Sequence, residues 1–158
     1  MTIQSNPLLT CSTGVPPAAV VLGGAGLLPF AALAMSSHFP WLPAHGLSVT
    51  AIVAYGAVIV SFLGGIQWGF AAGLPGSGPD AGKLALSTLP SLMGWSALLV
   101  ENSVGLLILA ASFVGVLLTD IAWHRRGWTP AWYPKLRFPL TLGVVTLLLV
   151  TSSAYLRL

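Results

Sequence analysis

The stretch GLSVTAIVAYGAVIVSFLGGIQWGFAA (residues 46–72) decides what kind of fold this chain can form. Its 27 residues include no Asp, Glu, Lys or Arg, and its apolar residues do not alternate with polar ones as they do in many strands. A helix that crosses a bilayer needs about 20 consecutive apolar residues. The stretch therefore predicts a transmembrane helix.

Four further apolar runs extend this pattern over the rest of the chain, at approximately residues 17–36, 83–100, 102–123 and 138–156. Most of the connections between them are short, and short connections join antiparallel neighbours. The sequence therefore predicts an all-α membrane protein, a compact bundle of about five transmembrane helices. We expect a short polar amino-terminal tail over residues 1–15 and a single domain over residues 16–158.

The composition also indicates a membrane environment. Of the 158 residues, 56% are hydrophobic and 6% are charged, whereas soluble domains carry about 25% charged residues. So few charges cannot cover a water-facing surface, which excludes an ordinary soluble domain. The single cysteine, Cys11, excludes an intrachain disulfide and a cysteine-based metal cluster. The few clustered basic residues are a signal of membrane topology, and we expect no binding to nucleic acid.

Basic residues are concentrated at one predicted end of the bundle. That end holds Lys83, Arg125, Arg126, Lys135 and Arg137, and the opposite end holds Arg157. The positive-inside rule then places this end and the amino terminus in the cytoplasm. Residues 1–17 contain no Lys or Arg and so lack the charged region of a secretory signal. We expect a bacterial inner membrane, or a mitochondrial inner membrane if the source is eukaryotic.

Small residues occupy every fourth position near the end of the second predicted helix. They are Ser61, Gly65, Gly69 and Gly73. Such an extended GxxxG pattern leaves a groove that another backbone can approach closely in lipid. Packing against Ala19 and Gly23 of the first helix is the favoured interpretation. A homodimer or a contact with another membrane protein is the alternative.

Two prolines, Pro29 and Pro90, are predicted to lie inside spans. Each removes a backbone hydrogen bond and should kink its helix. The freed carbonyl groups could line a cavity, or the kinks could serve packing alone.

Ionisable groups inside a span are costly and are therefore candidates for function. Asp120 lies about one turn from the cytoplasmic end of the fourth helix, and Gln67 lies at a similar depth in the second. His124 shares a helix face with Asp120, and Arg137 opens the fifth helix, within reach of Asp120. Two interpretations remain: a structural Asp120–Arg137 ion pair with Gln67 as a hydrogen-bond partner, or a polar pocket for a lipid headgroup or small anion.

The loop RRGWTPAWYPKLR (residues 125–137) places cations beside aromatic rings. Cations attract anionic headgroups, and Trp and Tyr favour the membrane interface. The residues predicted to contact headgroups are Arg125, Arg126, Trp128, Trp132, Tyr133 and Lys135. A simple topological anchor explains the same pattern.

No pattern in the sequence indicates catalysis, a metal or a cofactor, and we expect none. His38 and His45 share a loop without a neighbouring carboxylate or cysteine. The leading hypothesis is a non-enzymatic packing, assembly or accessory protein of the membrane. The alternatives are a small transporter or a lipid- or anion-binding protein and, with support from Asp120 and His124 alone, an intramembrane enzyme.

Four motifs in their order and spacing resemble one family. They are LGGAGLLPF (22–30), YGAVIVSFLGGIQWG (55–69), LSTLPSLMGW (86–95) and GWTPAWYPKLRFPLT (127–141). Together they are similar to the transmembrane-protein-69-like family, also called domain of unknown function 3429. The resemblance implies a small multi-pass membrane protein of bacteria or mitochondria and supplies no catalytic residues. The family's recurring positions correspond here to Pro29, Phe30, Ser61, Phe62, Gly64, Gly65, Trp68, Gly69, Pro90, Trp95, Asp120, Pro130, Trp132, Tyr133, Leu136 and Arg137.

Overall fold

A computed structural model describes residues 14–39, 41–42, 45–73 and 80–155. Within these ranges every regular element is a helix. The helices are α1 (Pro17–Ala25), α2 (Leu27–His38), α3 (His45–Ala72), α4 (Ala81–Leu98), α5 (Asn102–Arg125) and α6 (Tyr133–Tyr155). Most of the predicted tail, residues 74–79 and Arg157 lie outside the described residues.

The helices form a bundle with α3 in the middle. α3 packs against α2, α4 and α5, and α6 packs against α2 and α5. α1 and α2 form one broken apolar segment, so the bundle has five segments in the described part of the chain. Four of these segments are long and apolar enough to cross a membrane. The fifth, α4, has 18 residues and packs beside α3. The predicted all-α membrane bundle is confirmed.

The break between α1 and α2 lies at Gly26, three residues before Pro29. A proline inside a helix cannot donate its backbone hydrogen bond, and its ring clashes with the carbonyl four residues earlier. That carbonyl belongs to Ala25, where α1 ends. The Tyr55 hydroxyl of α3 donates a hydrogen bond of 3.2 Å to the adjacent Gly26 carbonyl, which ties the break to α3.

Glycines bring α4 into backbone contact with its neighbours. A Cβ atom at Gly64 would lie 2.6 Å from the Ser87 carbonyl oxygen, and one at Gly94 would lie 2.9 Å from the Ala57 carbonyl oxygen. On the other side of α4, a Cβ atom at Gly105 of α5 would meet the backbone of α4 equally closely. In lipid, such close approach supplies the van der Waals packing that holds helices together.

The favoured interpretation of the glycine pattern on α3 is wrong. Gly65 and Gly69 are exposed. Apart from the local backbone of α3, no described atom lies within 4 Å of a Cβ atom placed at either position. Gly73 faces only the Gly69 carbonyl. Among the described residues α1 packs against α2 and α6 instead of α3, and its Gly23 faces Leu140 of α6. The physical reason is that the inward face of α3 carries Gly64, one position away, so the predicted face points outward.

The ends of the last helices differ from the prediction. α5 continues to Arg125, and α6 begins at Tyr133 rather than at Phe138. Pro134 does not prevent this earlier start, because a proline in the first turn needs no helical hydrogen bond. Pro139 lies inside α6 and Pro90 inside α4. The chain between α5 and α6 is therefore a short turn, with Gly127 at a φ of 74°, a left-handed conformation that glycine adopts readily.

An apolar core occupies the centre of the bundle. The ring of Phe30 meets those of Tyr55 and Phe113 edge to face, with centroids 4.9 Å and 6.1 Å away. We call the end where α3 and α5 finish and α4 and α6 begin the basic end, because it carries Lys83, Arg125, Arg126 and Lys135. The polar side chains considered next lie between this end and the aromatic centre.

Candidate functional site

Three polar side chains from three helices meet at one point inside the bundle. The Gln67 amide of α3 donates to Asp120 Oδ1 at 2.9 Å and to the Val116 carbonyl at 3.3 Å. Arg137 Nε of α6 donates to Asp120 Oδ2 at 3.1 Å. Each oxygen of the Asp120 carboxylate therefore accepts one hydrogen bond, and the contacts join α3, α5 and α6.

This group is shielded from the surroundings. Asp120 is 0% exposed and Arg137 is 6% exposed. A buried ion pair costs desolvation energy, and its members persist because each compensates the charge of the other. The structure thus brings Gln67, Asp120 and Arg137 together, as the sequence pattern suggested from their similar depth.

A polar stripe runs along the inward face of α6. It consists of Tyr133, Arg137 and Thr141, which are spaced four residues apart and therefore share one helix face. Arg137 Nη2 and Thr141 Oγ1 are buried and have no hydrogen-bond partner among the described residues. The buried Tyr133 hydroxyl has no partner at hydrogen-bond geometry, but it lies close enough to the Asp120 carboxylate to interact with it. Most buried polar groups are hydrogen-bonded, so the two unpaired atoms on one stripe indicate missing partners.

The polar stripe lines a cavity of about 390 Å³. Its walls come from α1, α2, α3, α5 and α6, and most of the lining is aliphatic or aromatic. The lining residues are Ala19, Leu22, Gly23, Gly26, Leu27, Phe30, Ile59, Phe62, Leu63, Ile66, Phe113, Trp132, Tyr133, Leu136, Arg137, Leu140, Thr141 and Val144. Arg137 supplies the one charge on this wall, since Asp120 lies behind it and does not line the cavity.

The cavity opens sideways, between α1 and α3. Leu22 of α1 and Phe62 of α3 both line it, and they are 73% and 64% exposed. α1 and α3 do not pack against each other in the described part of the chain. The opening thus lies on the side of the bundle, between two helices, where we expect lipid in a protein that spans the membrane.

A second cavity, of about 220 Å³, lies between α3, α4 and α5. Gln67 lines it, so the Gln67–Asp120–Arg137 group separates the two cavities. Its other lining residues are Leu86, Leu89, Pro90, Met93, Ala111, Ser112, Gly115, Val116 and Thr119. Pro90 is one of the residues that line this cavity.

His124 does not join the polar group. Its Nδ1 atom lies 3.4 Å from Thr129 Oγ1, in the turn that follows α5. Although His124 and Asp120 are four residues apart, Asp120 points into the bundle toward α3 and α6. Among the residues that the structure describes, no three His, Cys, Asp or Glu side chains are grouped so that they could hold a metal ion.

The residues predicted to contact headgroups divide into two sets. Arg125, Arg126 and Lys135 are exposed at the basic end. Lys83 Nζ lies 3.7 Å from the centroid of the Trp128 ring, and Arg126 lies over the same ring at 5.1 Å. The headgroup role of Tyr133 is wrong, because Tyr133 is buried against Phe70, and Trp132 lines the cavity.

Sequence reasoning missed Thr141 and placed Tyr133 in a loop. The spacing of Tyr133, Arg137 and Thr141 is a usable signal, since polar residues at four-residue intervals on an apolar helix lie on one face. That signal becomes visible only when α6 is known to begin at Tyr133.

Comparison with known proteins gives a consistent result. The family model for a protein of unknown function, DUF3429, matches residues 15–153. The chain is similar to Transmembrane protein 69 of Xenopus tropicalis, with 39% identity over 152 residues, which cover 89% of this chain and 56% of the relative. It is 36% identical to Transmembrane protein 69 of Mus musculus over 148 residues, which cover 85% and 57%. The chain thus spans just over half the length of these relatives. No solved structure matches it.

Proposed function

The chain belongs to the DUF3429 family of proteins of unknown function. We propose that this member is a non-enzymatic membrane protein that binds an amphiphilic molecule of the bilayer. The binding site is the cavity beside Arg137. One observation carries the proposal: two residues that line an otherwise apolar cavity, Arg137 and Thr141, each carry a buried polar atom without a hydrogen-bond partner.

The chemistry of the cavity supports this proposal. Ligand sites are typically cavities of about 300–1,000 Å³ with mostly apolar walls and a few placed polar groups. An unsatisfied buried polar group costs about 1–3 kcal/mol. A bound molecule with a polar head and an apolar body would satisfy these groups and fill the apolar space. Because the cavity opens toward lipid, the bilayer is the source of such a molecule.

The contacts of Asp120 favour binding over catalysis. Both of its oxygens already accept hydrogen bonds, and His124 is turned toward Thr129 instead. A general acid or base must reach the reacting group within hydrogen-bond distance, and Asp120 does not line the cavity. These features support a structural role for Asp120, which holds Arg137 in place.

The proposal can be tested with two adjacent alanines of α1. Ala19 lines the cavity, whereas Ala18 is exposed and does not. The full chain is purified from native membranes in a mild detergent, and bound amphiphiles are identified by mass spectrometry. We expect the wild type and Ala18→Phe to retain a bound amphiphile in stoichiometric amount, and Ala19→Phe to lose it. Equal retention by both variants would place the molecule elsewhere and refute the proposal.

A second candidate function is that of an accessory protein that packs with another membrane protein or with a second copy. The exposed Gly65 and Gly69 favour it, since they leave a shallow groove on the outward face of α3. If this is the role, Gly69→Leu should reduce recovery of the partner or of the dimer after crosslinking in membranes, without lowering the melting temperature. An unchanged crosslinking pattern would leave the groove as an ordinary lipid-facing surface.

We also propose that the basic end faces the cytoplasm, or the matrix of a mitochondrion. Lys83, Arg125, Arg126 and Lys135 support this, following the positive-inside rule; Arg137 is internally paired and adds little to the bias. Single cysteines at the basic end should react with a membrane-impermeant reagent only from the inner side. Reaction from the outer side would reverse the assignment.

A further inference from the structure

Resting on the proposed function, we infer the chemical class of the bound molecule: a single acyl chain that carries an oxyanion headgroup, either a carboxylate or a phosphate. The headgroup is bound by the polar stripe of α6, with Arg137 Nη2 at its centre. The chain extends from there toward Phe30 and Val144.

The unpaired atoms specify the headgroup. Thr141 Oγ1 and Arg137 Nη2 can both donate hydrogen bonds, as can the neighbouring Tyr133 hydroxyl, and Arg137 Nη2 is a purely donating, positively charged group. Hydrogen bonds between a guanidinium and an oxyanion are roughly twice as strong as those between neutral groups. The stripe offers no carboxylate or amide oxygen as an acceptor. A headgroup rich in acceptors, with a negative charge, matches it best.

The Asp120 carboxylate lies behind Arg137 and does not line the cavity, so a bound headgroup would meet the guanidinium first. Its oxygens accept hydrogen bonds from Gln67 and from Arg137 Nε. The Nη2 atom is buried and has no hydrogen-bond partner. We therefore assign Arg137 two separate tasks: its Nε atom is bound to the bundle, and Nη2 is the atom that binds the ligand.

The shape of the cavity specifies the apolar part. Along α6 the lining runs from Tyr133 to Val144, which corresponds to about 16 Å at 1.5 Å per residue. This is roughly half of a hydrocarbon core of about 30 Å, so the cavity covers one leaflet. With the polar stripe near the basic end and the aromatic centre at the bottom, a bound chain has the same orientation as the lipids of that leaflet. A volume of about 390 Å³ is near the lower limit for ligand sites, which favours one chain.

The test uses four probes that share an oleoyl or oleyl chain. Oleic acid and oleoyl lysophosphatidic acid carry oxyanions, and oleyl alcohol and monoolein are neutral. The delipidated full chain is titrated with each probe at alkaline pH, and occupancy is measured by native mass spectrometry. We expect at least one oxyanion probe to bind about tenfold or more tightly than the neutral probes. The comparison of the two oxyanion probes distinguishes a fatty acid from a phosphate-bearing lipid.

Variants must leave the ion pair intact, since Arg137 substitutions could unfold the chain. Thr141→Val removes a hydroxyl that has no partner, and Tyr133→Phe removes one that interacts with the Asp120 carboxylate without being part of the ion pair, so both should keep the Asp120–Arg137 pair and fold. Each should weaken binding of the oxyanion probe about tenfold, in line with hydrogen bonds to charged groups, and affect oleyl alcohol less. Thr151→Val is the matched control, because the Thr151 hydroxyl bonds to Leu147 within α6 and does not line the cavity. It should leave all affinities unchanged.

The outcomes separate this inference from the proposed function. Equal binding of neutral and oxyanion probes, abolished by Ala19→Phe, would overturn the oxyanion assignment and leave amphiphile binding standing. Loss of affinity in Thr151→Val as large as in Thr141→Val would also overturn the assignment. Failure of all four probes, together with identical lipid content in Ala18→Phe and Ala19→Phe, would overturn both.

Discussion

Removing the Asp120 side chain should destabilise the bundle strongly, and a second change should restore most of the loss. In Asp120→Ala the Arg137 guanidinium loses the carboxylate at 3.1 Å and stays 6% exposed. Gln67 retains its hydrogen bond to the Val116 carbonyl, so its own contribution to the loss is small. The main cost is the unpaired charge inside the bundle.

The magnitude follows from this burial. Breaking a buried ion pair by removing one partner costs about 3–5 kcal/mol, whereas replacing both partners by apolar residues is often close to neutral. At this degree of burial Arg137 cannot extend its charge fully into water. We therefore expect a loss of about 3–5 kcal/mol for Asp120→Ala, and a loss of only about 1–2 kcal/mol for Asp120→Ala combined with Arg137→Leu. Because the double variant loses less stability than Asp120→Ala alone, Asp120 and Arg137 should show a strong favourable coupling energy.

The assay is a double-mutant cycle on the full chain in one detergent, with unfolding followed by circular dichroism. Thr119→Ala, at the neighbouring position, controls for truncation within α5, because the Thr119 hydroxyl bonds only to Gly115 of its own helix. Strictly additive effects of the two substitutions would show that Asp120 and Arg137 do not interact. A loss below about 1 kcal/mol for Asp120→Ala would contradict the burial of the pair.

Three further predictions address packing, the helix break and pH. Gly64→Leu should lower the melting temperature severely, because its Cβ would lie 2.6 Å from the backbone of α4, whereas Gly65→Leu should be tolerated; equal effects in a detergent melting assay would contradict the contact. Tyr55→Phe should cost about 1 kcal/mol, measured by chemical denaturation, since it removes the hydroxyl that bonds to the break between α1 and α2. The hydrogen bond and charge of Lys83 hold the pKa of the Asp80 carboxyl below its usual value. The ionised carboxylate therefore contributes to stability at any pH above the usual pKa of Asp, and this contribution is lost as the pH falls through the lowered pKa. Lys83→Met should raise that pKa in an NMR titration.

Much of the fold could be predicted from the sequence because lipid restricts the choice of structures. In a bilayer core every backbone polar group must be satisfied internally, so long uncharged runs such as residues 46–72 have few alternatives to a helix. Gln67 and Asp120 lie near the ends of α3 and α5, which both finish at the basic end, and Arg137 lies near the start of the antiparallel α6, so the three side chains meet at equal depth. Depth can be counted along the sequence once the helices are known.

The direction in which a helix face points could not be predicted in the same way. Gly64 and Gly65 are adjacent and chemically identical, yet one touches α4 and the other faces outward. A four-residue period identifies a face of small residues. In a membrane, such a face can pack against another helix or contact lipid, so the period does not show which way the face points. The start of α6 could not be predicted for another reason. The charges of Lys135 and Arg137 are typical of a loop, and only the pairing of Arg137 with Asp120 shows that this part of the chain belongs to a helix.

The glycine at the break between α1 and α2 has a consequence for the rate of ligand exchange. None of the α1 residues is fully buried, and α1 is held by α2 and α6 alone among the described helices. Segments with few buried contacts open locally at low free energy, and segmental motions of this kind take microseconds to milliseconds. If the cavity binds an amphiphile as proposed, we expect the bound molecule to leave when α1 moves away from α6. Mutations in α1 should then change the exchange rates, and mutations in the polar stripe of α6 should change the equilibrium affinity.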